Sequence, residues 1–313
     1  MSRCLITGGA GFIGSHTAEA FLKKGFEVRI IDDFFMGRRE NLASIAKDIE
    51  IIEGDIRDLD TVQKSVSGMD KIIHLAARNS VPRSLDDPLS CNDVNITGTL
   101  NILLASRDAG VGRVVFSSSS SVYGDNPSLL KKETLEMKPL SPYAASKAMG
   151  EYYCRLFSSL YGLETVVLRF FNVFGPRQVP DSPYSAVIPK FIVKMMKGEA
   201  PTIFDDGEQQ RDFTYIDNTV QGILCACEAG SEASEKVFNC SAGAPISVNT
   251  LVAGINKILK KNIRALYAPP RKGDMKNSLG DISLAREILG YNPSVSFEEG
   301  LAQTIDSFFH GRT

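Results

Sequence analysis

The 313-residue sequence has few of the residues that build metal centres or disulfide frameworks. Its three histidines, His16, His74 and His310, are too dispersed to suggest a metal site. The cysteines are scattered, and none forms a Cys-x-x-Cys pair, which favours buried, reduced thiols over disulfides or a redox motif. The six are Cys4, Cys91, Cys154, Cys225, Cys227 and Cys240.

The sequence also lacks a basic excess and long apolar runs. A formal charge of −2 argues against a nucleic-acid partner. No apolar run approaches the length of a membrane span, and the chain begins with a strand-like pattern at residues 3–7 and no signal peptide. We therefore expect a cytoplasmic protein without a membrane partner. Its hydrophobic content of 43% and charged content of 23% are ordinary for a globular protein.

A glycine-rich segment follows the first predicted strand. It reads Gly8-Gly9-Ala10-Gly11-Phe12-Ile13-Gly14, and it matches both Gly-x-Gly-x-x-Gly and Gly-x-x-Gly-x-x-Gly. A helix pattern then runs to about residue 24, and a second strand at 28–31 ends in Asp32. Missing side chains let backbone amides and a helix N-terminus approach a pyrophosphate, so this βαβ unit predicts dinucleotide binding.

Asp32 indicates which dinucleotide is bound. An acidic side chain at the end of the second strand binds the adenosine ribose hydroxyls and repels a 2′-phosphate, which favours NAD over NADP. Arg38 and Arg39 lie close in sequence and weaken this inference.

Strand and helix patterns continue to alternate along the chain. Further strands are expected at residues 49–52, 71–75, 113–116 and 164–169, which predicts an α/β fold with a Rossmann-type, doubly wound parallel sheet. We expect an NAD-binding domain over residues 1–175. Residues 176–313 would form a smaller substrate-binding α/β region, with some elements returning to the first domain. Because ligands bind at the carboxyl ends of such strands, the glycine loop, Asp32, Asp55, Ala76 and Ser119 should converge on one crevice.

Tyr143 and Lys147 are the candidate base and its partner. Their i, i+4 spacing places both side chains on one helical face. An ammonium beside a phenol favours phenolate and lowers the pKa of the tyrosine, and Ser119 could complete a relay to a substrate alcohol. The same spacing also occurs on ordinary helix surfaces, but the expected convergence with Ser119 favours a catalytic set.

The motifs together resemble the extended short-chain dehydrogenase/reductase family and, within it, the UDP-sugar 4-epimerases. The resemblance covers nearly the whole chain. Its motifs are Thr7 to Gly14, His74-Leu75-Ala76-Ala77, Asn95, Ser117 to Tyr123, Tyr143-x-x-x-Lys147, Arg169 to Gly175, Val187-Ile188-Pro189, Gly207 to Phe213 and Arg271-Lys272-Gly273-Asp274.

The resemblance implies a role for each matching position. The implied catalytic residues are Ser119, Tyr143 and Lys147. The implied NAD-binding residues are Gly8, Gly11, Phe12, Ile13, Gly14, Asp32, Gly37, Asp55, Ile56, Leu75, Ala76, Ala77, Asn95, Ser117, Tyr143, Lys147, Phe170 and Val173. The implied UDP-sugar-binding residues are Ser80, Ser119, Tyr143, Asn172, Val187, Phe204, Arg211, Arg271, Asp274 and Ser278.

The resemblance also implies a reaction and an assembly. Tyr143 would take a proton from the sugar 4-hydroxyl, a 4-keto sugar would form on NAD, and its reduction from the other face would invert C4. Relatives are commonly homodimers that pair two helices per subunit. Helices near residues 91–109 and 143–161 are candidates, although the same residues could be core contacts. Their apolar residues are Leu103, Leu104, Tyr152, Leu156 and Leu160.

Three other activities remain open on the same fold. A 4,6-dehydratase would carry a threonine and two acids after the catalytic position, whereas Ser120 and Ser121 follow Ser119 here. A decarboxylase would need further contacts to a substrate carboxylate, which are not evident. A non-catalytic NAD-binding regulator usually lacks the tyrosine or the lysine, and both are present.

Ser278 is the candidate determinant of sugar size. In relatives confined to plain hexoses, the resemblance places a bulky tyrosine at this position, on the C2 side of the sugar. A serine leaves room for an acetamido group, and Ser80 would lie on the same wall. The alternative is that Ser278 only ends a loop.

Overall fold

The computed structural model describes residues 2–180, 186–270 and 277–310. The strands in chain order are β1 (Arg3–Thr7), β2 (Glu27–Asp32), β3 (Ile49–Glu53), β4 (Lys71–His74), β5 (Arg113–Ser119), β6 (Leu130–Lys131), β7 (Glu164–Phe170), β8 (Val173–Phe174), β9 (Thr202–Phe204), β10 (Gln210–Asp212), β11 (Thr214–Tyr215), β12 (Val237–Cys240), β13 (Pro245–Ser247), β14 (Leu266–Ala268) and β15 (Asn277–Gly280). The helices are α1 (Phe12–Lys23), α2 (Leu59–Val66), α3 (Val81–Asp86), α4 (Pro88–Asn92), α5 (Gly98–Asp108), α6 (Pro142–Tyr161), α7 (Val187–Met196), α8 (Ile216–Glu228), α9 (Val248–Leu259) and α10 (Phe297–Phe309).

A seven-stranded parallel sheet forms the centre of the fold, in the order β12-β7-β5-β4-β1-β2-β3. Side chains alternate along each strand, so β1 sends Ile6 into one core and Leu5 into the other. The first core includes Phe21 of α1 and Ile223 of α8. The second includes residues of α2, α5 and α6. Because helices cover both faces, the predicted Rossmann-type, doubly wound α/β sheet is confirmed.

The helical pattern predicted over residues 91–109 is interrupted. α4 ends at Asn92, a π-helical turn spans Asp93–Thr97, and α5 then begins at Gly98. Gly98 packs closely, because a Cβ atom there would lie 2.5 Å from Ile56 Cδ1. A π turn replaces i→i+4 hydrogen bonds with i→i+5 bonds over a single turn, and the apolar pattern of the sequence does not reveal it.

The C-terminal half has its own core and also contributes to the main sheet. Phe174, Phe213 and Phe297 belong to a third buried cluster, together with residues of α7, α9 and α10. β12 pairs with β7 and thereby extends the main sheet. A second sheet has the order β13-β10-β15-β6. The division into domains at residue 175 stays a prediction.

No helix within residues 2–180, 186–270 and 277–310 combines the length and the apolar content that crossing a bilayer requires.

Candidate active site

A cleft of about 540 Å³ opens at the carboxyl ends of the sheet strands. It brings together most of the residues that the sequence predicts to form the site. Those that line it are Gly8, Gly11, Phe12, Ile13, Gly14, Asp32, Gly37, Asp55, Ile56, Leu75, Ala76, Ala77, Ser80, Ser117, Ser119, Tyr143, Lys147, Phe170, Asn172, Val173, Arg211 and Ser278.

The glycine loop forms a cradle with no room for side chains. Gly8 has φ +68°, a conformation that favours glycine. A Cβ atom on Gly14 would lie 2.1 Å from the carbonyl oxygen of Gly8. α1 begins directly after Gly11 without a side-chain cap, so its first amides are available to an anion. The loop therefore fits a dinucleotide pyrophosphate.

Asp32 is held rigidly beside this cradle. Its carboxylate oxygens accept hydrogen bonds from the amides of Ala10, at 2.9 Å, and Phe34, at 2.8 Å. Burial raises the pKa of Asp32, although these hydrogen bonds oppose the shift. A Cβ atom on Gly37 would lie 2.5 Å from Asp32 Oδ1, so the chain passes very close to the carboxylate. This fixed acid fits the ribose end of NAD.

The three predicted catalytic residues come from β5 and α6. Ser119 ends β5, and Tyr143 and Lys147 lie on the first turns of α6. A hydrogen bond links Ser119 to Tyr143. Lys147 Nζ donates to the carbonyl oxygen of Ser117 at 2.7 Å. The arrangement joins a hydroxyl, a phenol and an ammonium in one corner of the cleft, where Lys147 is buried and Ser119 and Tyr143 are half-buried.

The protonation of this corner differs from the sequence-based expectation. Burial raises the pKa of Tyr143 above its usual value, although the hydrogen bond with Ser119 acts in the opposite direction. Burial also lowers the pKa of Lys147 to about 8. The predicted lowering of the Tyr143 pKa is therefore wrong, because burial outweighs the hydrogen bond with Ser119, and the charge of Lys147 is not among the causes of the shift.

The second sheet forms the opposite wall. β10 and β15 are parallel, and their register places Arg211 opposite Ser278. Ser278 is 4% exposed. Asn172 has a positive φ of 28°, and its side-chain amide donates to the carbonyl oxygen of Asp212 at 3.3 Å.

Two predicted residues, Arg271 and Asp274, fall outside the described residues. Among the described residues, Val187 and Phe204 do not line the cleft. Asn95 is buried beside the loop that follows β4, where its Oδ1 accepts a hydrogen bond from the amide of Arg78 at 2.7 Å. It therefore supports the loop after β4. The ligand-binding roles of all five stay predictions.

Sequence reasoning missed Arg78, which also lines the cleft. Its guanidinium pairs with Asp33 at 2.8 Å and lies 3.8 Å from the centre of the Phe35 ring. These contacts join the loop after β2 to the loop after β4. The only signal in the sequence is the position of each residue just after a strand, which does not identify the partners.

Comparison with known proteins identifies the family. Residues 4–241 match the model of the NAD-dependent epimerase/dehydratase family. The chain belongs to this family. Its predicted NAD cofactor and its predicted place among epimerases are therefore confirmed, and the glycine cradle and Asp32 fit that cofactor.

Three similar proteins show which activities occur among the relatives of this chain. A UDP-glucose 4-epimerase of Mycolicibacterium smegmatis is 37% identical over 310 residues, which cover 98% of each chain. The structure of a UDP-N-acetylglucosamine 4-epimerase from Methanobrevibacter ruminantium, in complex with UDP-N-acetylmuramic acid, is 40% identical, with a TM-score of 0.94 and 99% of each chain covered. A UDP-N-acetyl-α-D-glucosaminuronate decarboxylase of Bacillus cytotoxicus is 32% identical, covering 98% of this chain and 97% of the relative.

Proposed function

We propose that this enzyme inverts C4 of UDP-hexoses, and that it accepts UDP-glucose and UDP-galactose as well as the two N-acetylhexosamine counterparts. The observation that carries the proposal is the grouping of Ser119, Tyr143 and Lys147 in the cleft that also contains the dinucleotide cradle. Two 4-epimerases of UDP-sugars among the relatives support it.

Each catalytic residue has a defined task in this proposal. Tyr143 accepts the proton of the C4 hydroxyl and later returns it, while Ser119 hydrogen-bonds the same sugar oxygen. Lys147 holds the nicotinamide ribose and the carbonyl of Ser117. NAD, when bound, supplies the acceptor and donor of hydride, so the reaction has no net oxidation. The raised pKa of Tyr143 means that substrate and cofactor must favour its ionised form.

The nucleotide end is anchored by the second sheet. The planar guanidinium of Arg211 can pair with two phosphate oxygens at once, and Asn172 supplies an amide nearby. Anchoring the UDP group while the sugar ring turns allows C4 to present its second face. Arg271 and Asp274 belong to the same proposed subsite by resemblance.

The sugar end is bounded by Ser278. Its small side chain leaves room that a phenol ring would occupy, and its hydroxyl can bond an acetamido group. Ser80 also lines the cleft, and its Oγ accepts from the amide of Arg83 at 3.2 Å as the cap of α3. These two serines support the acceptance of N-acetylated sugars.

Product analysis tests this proposal. The purified protein is incubated separately with UDP-glucose and UDP-N-acetylglucosamine, and the sugars are separated by chromatography. We expect the C4 epimer of each substrate. Release of carbon dioxide from a UDP-uronic acid would favour the decarboxylase alternative, loss of water would favour the dehydratase, and unchanged sugars would favour a regulator.

The role of Asp32 gives a prediction about the cofactor. Asp32→Ala removes the proposed partner of the ribose hydroxyls and the charge that repels a 2′-phosphate. We expect NAD affinity to fall by roughly tenfold or more and the preference over NADP to shrink, because hydrogen bonds to charged groups contribute about 1.5–3 kcal/mol. Calorimetric titration with each cofactor measures both effects.

A second acid on β2 provides the control. Glu27 lies at the start of the strand that Asp32 ends, and it pairs with Arg3 on the surface. Glu27→Ala should keep the cofactor preference. Equal NAD and NADP affinity in the parent protein would contradict the role assigned to Asp32.

We also propose a homodimer formed through α6. Its exposed apolar residues recur every three or four positions, so they form one stripe along the helix. They are Met149, Tyr152, Leu156 and Leu160, with exposed fractions of 41%, 54%, 48% and 66%. Leu103, in contrast, is 1% exposed within the second core, so its place in the predicted interface was wrong.

The stripe predicts the effect of a charge on assembly. Leu156→Glu should convert the dimer to a monomer, because burying an unpaired carboxylate at an apolar contact is strongly unfavourable. Sedimentation velocity measures the result. Leu266→Glu, at a residue that is 60% exposed on β14, is the matched control and should stay dimeric. A monomeric parent protein would refute the proposed assembly.

A further inference from the structure

A buried ion pair lies directly beneath the proposed catalytic residues. Glu151 follows Lys147 by one turn of α6, and Arg169 lies on β7. Glu151 Oε2 is 2.7 Å from an Nη of Arg169, and Oε1 is 2.9 Å from its Nε. The two side chains are 4% and 3% exposed. The proposed reaction assigns neither residue a role.

The same carboxylate also holds the end of β5. The hydroxyl of Ser118 donates a hydrogen bond to Glu151 Oε1. Ser118 directly precedes Ser119, and it stands opposite Arg169 in the register of β5 and β7. Glu151 therefore ties the helix that carries Tyr143 and Lys147 to the strand that carries Ser119.

On its other side, the ion pair is connected to the sugar-binding wall. The Arg169 guanidinium lies 4.6 Å from the centre of the Tyr123 ring, and the Tyr123 hydroxyl donates to Asn239 Oδ1 at 2.6 Å. The side-chain amide of Asn239 then donates to the carbonyl oxygen of Asp281 at 2.9 Å. Asp281 directly follows β15, which carries Ser278. These contacts thus run from Ser118, the residue before the proposed catalytic serine, to Asp281, which follows the strand that carries Ser278.

A contribution to stability does not by itself explain the buried ion pair of Glu151 and Arg169. Removing two charges from water costs about as much as their attraction returns, so an apolar pair of similar volume is often equally stable. A buried, fully hydrogen-bonded pair instead fixes geometry. Its location at the carboxyl ends of β5 and β7 places that rigidity at the reacting groups.

We propose that Glu151, held by Arg169, is a positioning residue that fixes Ser119 and Lys147 relative to each other for the C4 inversion. The inference rests on the proposed function, because Glu151 acts only through these two residues. It touches neither Tyr143 nor the open cleft in any contact among the described residues.

The charge of Glu151 also acts on Lys147. Burial lowers the pKa of Lys147 to about 8, and the negative charge of Glu151 opposes that shift. The other titratable groups that interact with Lys147 are Cys91, Cys154 and His74. Removing the Glu151 charge should therefore lower the pKa of Lys147 further, so its ammonium would be lost at a lower pH.

Glu151→Gln tests the proposal, because it keeps the shape and removes the charge. We expect kcat to fall by roughly ten- to a hundred-fold, since small displacements of reacting groups have effects of that size. KM for the UDP-sugar should change by less than about twofold, because the nucleotide wall is intact. The alkaline limb of the pH–kcat profile should move to lower pH.

A second ion pair provides the matched control. Arg113 and Glu164 join the opposite ends of the same strands, β5 and β7, at 2.6 Å. Glu164→Gln should lower the thermal midpoint and leave kcat and the alkaline limb as in the parent. Assays are made well below the midpoint of every variant, and UDP binding is measured by calorimetry to confirm an intact nucleotide wall.

Ser118→Ala provides a milder variant if Glu151→Gln does not fold. It removes one hydroxyl and leaves the ion pair, so the fold should persist while kcat falls by several-fold at unchanged UDP affinity. The proposal is overturned if every folded variant of Glu151 and Ser118 keeps the parental kcat and pH profile and loses only thermal stability. A parent enzyme that does not epimerise would refute the proposed function instead.

Discussion

Tyr143→Phe should reduce epimerisation by roughly a hundred- to ten-thousand-fold, which is the usual contribution of a positioned general acid–base group. The substitution removes only the phenolic oxygen, the atom proposed to exchange a proton with the C4 hydroxyl. The phenylalanine ring fills the same space as the tyrosine ring and keeps the packing of the first turn of α6. The variant should therefore retain its fold and its NAD, which chromatography of the denatured protein measures.

A tyrosine on the same helix serves as the control. Tyr152 is 54% exposed and does not line the cleft. Tyr152→Phe should keep the parental rate. If Tyr143→Phe epimerises at close to the parental rate, another group is the base, and the catalytic assignment fails.

Ser278→Tyr should change the selectivity for the sugar. The phenol ring would overfill the site, and overpacking costs about 1–3 kcal/mol, so kcat/KM for the N-acetylated pair should fall roughly ten- to a hundred-fold. The plain hexoses, which lack the acetamido group, should lose far less. Steady-state kinetics on UDP-glucose and UDP-N-acetylglucosamine measure the two losses.

Ser278→Ala distinguishes the effect of the space beside Ser278 from the effect of a hydrogen bond to its hydroxyl. It keeps the space and removes the hydroxyl, so the N-acetylated substrates should still be accepted with a modest loss. If the parent ignores N-acetylated sugars, or if Ser278→Tyr slows both pairs equally, Ser278 does not determine sugar size.

The main sheet could be predicted because its signals are local. Apolar runs and glycines at strand ends identify β1 to β5 and β7, and a general rule for parallel sheets then places Asp32 and Ser119 at one edge. The helical spacing of Tyr143 and Lys147 also predicted that the two side chains share one face, and both line the cleft. These predictions need no knowledge of how distant segments pair.

The remaining features depend on contacts between distant segments. Glu151 and Arg169 meet only because α6 packs on the end of β7, and Arg78 reaches Asp33 across two loops. The pKa of Tyr143 depends on burial, which has no signature in the five residues from Tyr143 to Lys147. Such long-range contacts set the chemistry of the site but leave no periodic pattern in the sequence.

Isotope tracing at C4 tests the central claim most directly. UDP-glucose with deuterium at C4 is incubated with the enzyme in ordinary water, and the UDP-galactose formed is analysed by NMR. The proposed inversion predicts that deuterium remains at C4 of the product, because that hydrogen leaves and returns within the closed site. Loss of the label to water, its appearance at C6, or the absence of UDP-galactose would contradict the proposed reaction.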